Sequence, residues 1–332
     1  MVMGLARILL PLPRAAARLA PERGGPLLGA ALSYCLTPSW AGLRSPSPAR
    51  RLAWADEAVA VYRATDDADG LGRALALRAH ALLLSGRYEE ACAGVADAVA
   101  VPGAQASPAL TAFAGDVRAQ ALAGADRTEE AVSVARACVE AYRGLSGPER
   151  RERALGSLPG ALRTYGMLLA AVGRTEESVA VYEECAALLA AMSLRELSHV
   201  ELVRPRVLAE LVGGLRASGR YKDALGVGPE AREALRGPVA WAVPEIVLPL
   251  RVRLLVDLAR CHSATGAPVE ARACAVEAVA EARKPLGASA LPAALTCLAD
   301  VLGELGEQDR ESDIRRELGE LDPDFTADRA GG

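Results

Sequence analysis

Gly86-Arg87-Tyr88-Glu89-Glu90-Ala91 is the stretch that decides how this chain reads. It returns as Asp126-Arg127-Thr128-Glu129-Glu130-Ala131 and as Gly173-Arg174-Thr175-Glu176-Glu177-Ser178. Two further copies are Gly219-Arg220-Tyr221-Lys222-Asp223-Ala224 and Gly266-Ala267-Pro268-Val269-Glu270-Ala271, and a degenerate one starts at Gly306. The turn positions 86, 126, 173, 219, 266 and 306 are spaced by 40, 47, 46, 47 and 40 residues. An earlier half-copy ends Asp56-Glu57-Ala58, and the Val59-Ala60-Val61-Tyr62 that follows is repeated word for word at Val179-Ala180-Val181-Tyr182. Self-similarity at such a period marks a repeat array.

Each interval holds two helical stretches with a turn between them. Gly at the turn adopts positive φ and ends the first helix. The acids after it fall in the first turn of the second helix, where the helix dipole favours them. Leu75, Ala79 and Leu82, or Leu162, Gly166 and Leu169, recur at helical spacing before their turns. Ala five residues after the turn lets the two helices close tightly.

Counted from each turn residue, a small residue stands seven before it: Ala79, Ala119, Gly166, Val212, Ala259 and Ala299. Five after it come Ala91, Ala131, Ser178, Ala224 and Ala271; twelve after it come Ala98, Cys138, Cys185, Ala231 and Ala278. This pattern, over about residues 50–318, resembles the tetratricopeptide repeat (TPR) family, in its long-repeat form. The resemblance implies an all-α solenoid of stacked antiparallel helix pairs wound as a right-handed superhelix of twelve to fourteen helices. The chain departs from the family in its longer period, in Asp126 at a turn, and in mostly lacking Pro after the second helix. Pro229 falls inside a second helix and is expected to kink or shorten it.

The domain reading follows. Residues 1–26, with four Pro and no acid before Glu22, read as a poorly ordered leader; residues 27–318 are the array, about six helix pairs plus an N-terminal half-repeat. The densely charged Glu304–Glu320 stretch suits a solvated end cap, and 319–332 is a tail. No segment after the leader reads as a membrane span.

Composition agrees. Hydrophobic residues are 51% of the 332, but aromatics are only 4%, so helices pack through Ala, Leu and Val. There is no Asn, Lys occurs twice and Arg 36 times, a bias resembling a GC-rich, actinobacterial-like bacterial genome. The formal charge of −4 argues against nucleic acid as a partner. Seven Cys, an odd number without Cys-x-x-Cys, point to buried thiols in a reducing cytoplasm.

No nucleotide, nucleophile or zinc-protease motif occurs, and the three His lie far apart. The reading is therefore a non-enzymatic chain without cofactor, metal or catalytic residues. In the tetratricopeptide family the first helices line a concave groove, so the resemblance implies binding there. Positions thirteen, ten, six and three before each turn are taken as inward-facing. They include Arg73, His80, Phe113, Gln120, Arg163, Met167, Arg206, Arg216, Arg253 and Arg260. Of 24 such positions six are Arg and two acidic, so the groove leans basic, and Arg suits carboxylates. The expected function is a cytoplasmic protein- or peptide-binding adaptor or sensor that takes an extended peptide, or a partner's acidic segment, along the groove. Three alternatives stay open: a regulatory module of a bacterial signalling or transcription system, a self-assembling scaffold that forms a homo-oligomer, and an enzyme.

Overall fold

The structure is a computed structural model, and it describes residues 10–36, 47–102, 107–145, 156–192, 202–236 and 243–321. Among these residues there are fifteen α-helices and no strand. The chain forms two compact units, Met1–Val203 and Arg204–Gly332. The first holds α1 (Pro11–Leu19), α2 (Pro21–Leu36), α3 (Pro48–Ala64), α4 (Ala68–Leu84), α5 (Tyr88–Ala100), α6 (Pro108–Gly124), α7 (Thr128–Gly144), α8 (Leu158–Ala171) and α9 (Thr175–Ala191). The second holds α10 (Val203–Ala217), α11 (Tyr221–Ala234), α12 (Pro244–Ala264), α13 (Pro268–Ala282), a 3-10 turn (Pro285–Ala290), α14 (Leu291–Glu304) and α15 (Gln308–Leu321).

The quoted phrase builds the same joint each time. Gly86, Gly173, Gly219, Gly266 and Gly306 have φ of +72°, +77°, +76°, +76° and +72°, and Asp126 has +60°. Around each, two backbone bonds close the preceding helix. Arg87 N donates to Leu82 O (3.0 Å) and Gly86 N to Leu83 O (3.0 Å), and Arg174 N to Leu169 O (2.9 Å) and Gly173 N to Ala170 O (3.1 Å). This is the Schellman closure, which requires the left-handed residue. The arginine after the turn then reaches the acid three residues on. Arg87 meets Glu90, Arg127 Glu130, Arg174 Glu177 and Arg220 Asp223. The repeated acids therefore hold an ion pair as well as suiting the dipole.

Helices before the turn, here A helices, begin differently from the B helices after it. Ser107 Oγ accepts from Leu110 N and Ser157 Oγ from Gly160 N, each just ahead of a Pro in the first turn. These are N-caps, and a Pro there loses no helical bond.

The three small-residue positions are buried throughout. Ser178, where Ala is usual, donates its hydroxyl to Gly166 O at 2.7 Å. Cys138 and Cys185 donate their thiols to Ala112 O (3.0 Å) and Pro159 O (3.4 Å). Both acceptors lie fourteen residues before their own turn, so the cysteines are repeat-register packing groups.

The amino end departs from the leader expected over 1–26. Residues 11–19 and 21–26 lie in α1 and α2, and Leu10, Leu28 and Leu32 are buried with α3 residues Ala55, Ala58 and Tyr62. Apolar burial overrides the Pro content there: Pro11, Pro13 and Pro21 sit in first turns, and α2 runs on through Pro26. The half-repeat is a whole pair: a Cβ on Gly29 of α2 would lie 2.7 Å from the Tyr62 ring, as one on Gly166 would from Tyr182. Residues 1–9 and 322–332 lie outside the described residues, and the boundary at 318 falls inside α15. α11 runs on through Pro229. Pro285–Glu304, the 3-10 turn and α14, is the one stretch among the described residues long and apolar enough to cross a membrane, with a mean hydropathy of 1.5. It packs on α12 and α13.

Candidate binding face

In the first unit, α4, α6 and α8 lie side by side and bring together Arg73, His80, Phe113, Gln120, Arg163 and Met167. The wall they form is largely self-contained. Phe113 is buried (2% exposed) and meets the His80 ring edge-on at 5.9 Å. It is a core residue between α4 and α6, not a ligand-facing one. His80 is half-buried, and burial together with the Arg51 charge pushes its pKa down to about 4. Its imidazole is neutral at pH 7. Gln120 donates to Asp116 at 3.0 Å, and burial raises the Asp116 carboxyl above its ordinary range despite contacts from Thr164 and Arg163. Arg73 and Arg163 are half-buried and partnered. Met167 is exposed on α8.

In the second unit the four arginines separate into two kinds. Arg216 Nε donates to Asp257 Oδ1 at 2.7 Å, and the Asp257 side chain is only 7% exposed. Gly213 makes room for that carboxylate: a Cβ would sit 3.2 Å from its Oδ2. This ion pair ties α10 to α12 and is structural. Arg206 is half-buried and also partnered. Arg253 and Arg260 are exposed on α12, seven residues apart and so on one face. Neither makes an ion pair within 4.0 Å among the described residues. Eighteen other arginines do make one.

Beside Arg260, a cleft of about 280 Å³ opens between α12 and α14, lined by Arg260, Ser263, Ala264, Cys297, Asp300, Val301 and Glu304. Its floor is apolar and its rim carries both signs of charge. Asp300 and Ser263 occupy the counted inward positions, but Glu304 stands one residue off them and no spacing rule would have singled it out. Burial pushes the Cys297 thiol up to about 11, so it is neutral. Among the described residues, no cluster of three or more His, Cys, Asp or Glu could hold a metal ion.

No family model matches the chain, and no curated protein matches it. Among solved structures, the crystal structure of the P58(IPK) TPR domain aligns over 97% of this chain and 92% of its own. The two are 16% identical with a TM-score of 0.29. At that score the two chains do not superpose as one body, and the likeness adds nothing to the geometry above.

Proposed function

We propose that this chain is a binding module that receives an extended protein segment on its A-helix faces, with acidic side chains of that segment against Arg253 and Arg260. The observation that carries the reading is the contrast among arginines. Among the described residues this chain pairs most of its guanidinium groups with acids, including those of the repeat phrase. Among the arginines counted as inward-facing, it leaves two, on one face of α12, exposed and without an ion pair within 4.0 Å among the described residues. Arginine's forked donors match a carboxylate, and charges on a rim steer a partner more than they hold it. The cleft between α12 and α14 would take an apolar side chain next to the acidic one.

The test uses fluorescent extended peptides, rich either in Asp and Glu or in Lys, with single apolar residues interspersed. The acidic set binds, binding weakens as salt rises because exposed attraction is screened within about 8–10 Å, and R253E/R260E weakens it by about tenfold or more. Equal binding of both sets, or an unaffected double variant, refutes the acidic reading of this face.

A further inference from the structure

Four polar or charged side chains are buried among the described residues: Arg51, Thr164, Ser178 and Asp257. Three of them have partners. Thr164 donates to Gly160 O at 3.2 Å, Ser178 donates to Gly166 O at 2.7 Å, and Asp257 accepts from Arg216 at 2.7 Å. Arg51 is the exception. It is only 6% exposed, and its guanidinium makes no hydrogen bond and no ion pair within 4.0 Å among the described residues. Burial lowers its pKa, and no acid offsets that effect. A buried charge without a counter-charge is strongly unfavourable, so one that persists calls for a partner.

Arg51 lies near the start of α3, a helix of 17 residues whose first turn holds no acid. A helical side chain leans towards the amino end of its helix. The Arg51 side chain therefore leans to the positive pole of α3, where the dipole opposes a cation and favours an anion. Opposite lies the end of α4. Leu52 packs on the cluster that holds Leu82 of α4, and Arg78 of α4 meets Asp56 of α3 at 2.6 Å. The carbonyls that end α4 are already taken: Ala81 O by Ser85 Oγ, Leu82 O by Arg87 N and Leu83 O by Gly86 N. His80 is the α4 side chain that feels the Arg51 charge. Phe113 of α6 faces the same ring, edge-on at 5.9 Å. Asp116, one turn further along α6, is engaged by Gln120 and Thr164.

We infer that the first turn of α3, with Arg51 and His80, is a binding site for a small oxyanion, the phosphate or carboxylate group of a ligand. Arginine's forked donors match two oxygens of either group. Backbone N–H groups at the amino end of α3 favour the same charge. A bound anion also offsets the Arg51 charge that keeps His80 neutral, so the ring takes up a proton more readily and binding tightens as pH falls. The site lies in the first unit and does not depend on Arg253 or Arg260.

Thermal unfolding of the full chain in sodium phosphate, sodium acetate and sodium chloride at equal ionic strength tests the inference, with R51M as the comparison. Phosphate stabilises folded proteins generally, by exclusion from their surface, so the reading is the difference between the two chains. Wild type shows a saturable rise in midpoint with phosphate that R51M lacks. In chloride R51M melts no lower than wild type, because an apolar side chain of similar length replaces an unpaired buried charge. NMR of the His80 ring in the wild type follows its titration from about 4 towards the ordinary 6.5 as phosphate is added. A rise with phosphate alone assigns a phosphate ligand, and a rise with acetate as well assigns either group. Equal responses of wild type and R51M, or a His80 titration that phosphate leaves in place, would overturn the inference. So would an R51M that melts well below wild type in chloride, since Arg51 would then be a structural group.

Discussion

The turn residue is the smallest unit that explains this molecule. Gly173 sits at φ +77° with open space around a would-be Cβ, so only backbone conformation opposes a side chain there. G173V is expected to lower stability by about 1–2 kcal/mol. The converse holds at Asp126, a non-glycine residue at φ +60°. D126G relieves that strain and should raise stability by up to about 1 kcal/mol. Urea denaturation at unchanged slope checks both. His80 offers a pH-dependent counterpart. Its folded pKa, about 4, lies below the ordinary value of 6.5. The unfolded chain therefore takes up the proton first, so the contribution is full above about pH 6.5 and is lost as pH falls towards 4. The expected loss is about 2 kcal/mol, allowing for a ring that is only half-buried. The raised Asp116 carboxyl works in the opposite sense, gaining stability as it protonates. The difference between wild type and H80Q across this pH range isolates the histidine, and a flat difference would show that its ring is solvated.

At the level of helices, what holds neighbours together is close approach plus a few buried polar links. A Cβ on Gly166 would meet the Tyr182 ring at 2.7 Å, so α8 and α9 touch through a glycine and an aromatic face. G166A should cost about 1–3 kcal/mol by overpacking, and Y182L in the same chain should recover part of it. A chemically different link joins α10 to α12. Removing Arg216 leaves Asp257 buried without a counter-ion, which is expected to cost about 3–5 kcal/mol. R216M/D257L removes both charges and should come close to wild type. Thermal unfolding of the two variants distinguishes an ion pair kept for specificity from one that adds net stability.

For the whole molecule, the two ends contrast. The last described helix, α15, is mostly charged and buries Leu318, while the first described helices, α1 and α2, expose apolar stripes. Ending the chain after Glu304 would uncover the apolar side of α14 that α15 packs against. Loss of solubility is expected, measured as the soluble fraction after expression, because an array needs a polar terminal face.

The sequence by itself determined the all-α class, the position of each joint and the core register. These follow from local rules: a left-handed residue ends a helix, and small residues at fixed offsets let helices close. Those positions proved buried even where Ser178, Cys138 and Cys185 replace alanine. Local rules could not determine which inward-counted residues face a partner. Phe113 is core, Arg216 is tied to Asp257, and Arg253 and Arg260 alone of the ten are arginines left exposed without an acid partner among the described residues. That outcome depends on the neighbouring A helix, far away in sequence (41 residues from Arg216 to Asp257), which supplies the covering side chain or the counter-ion. The amino end was decided the same way. Its prolines suggest a loose leader, but the buried faces of α1 and α2 hold it on α3 through contacts that no spacing rule within the segment encodes.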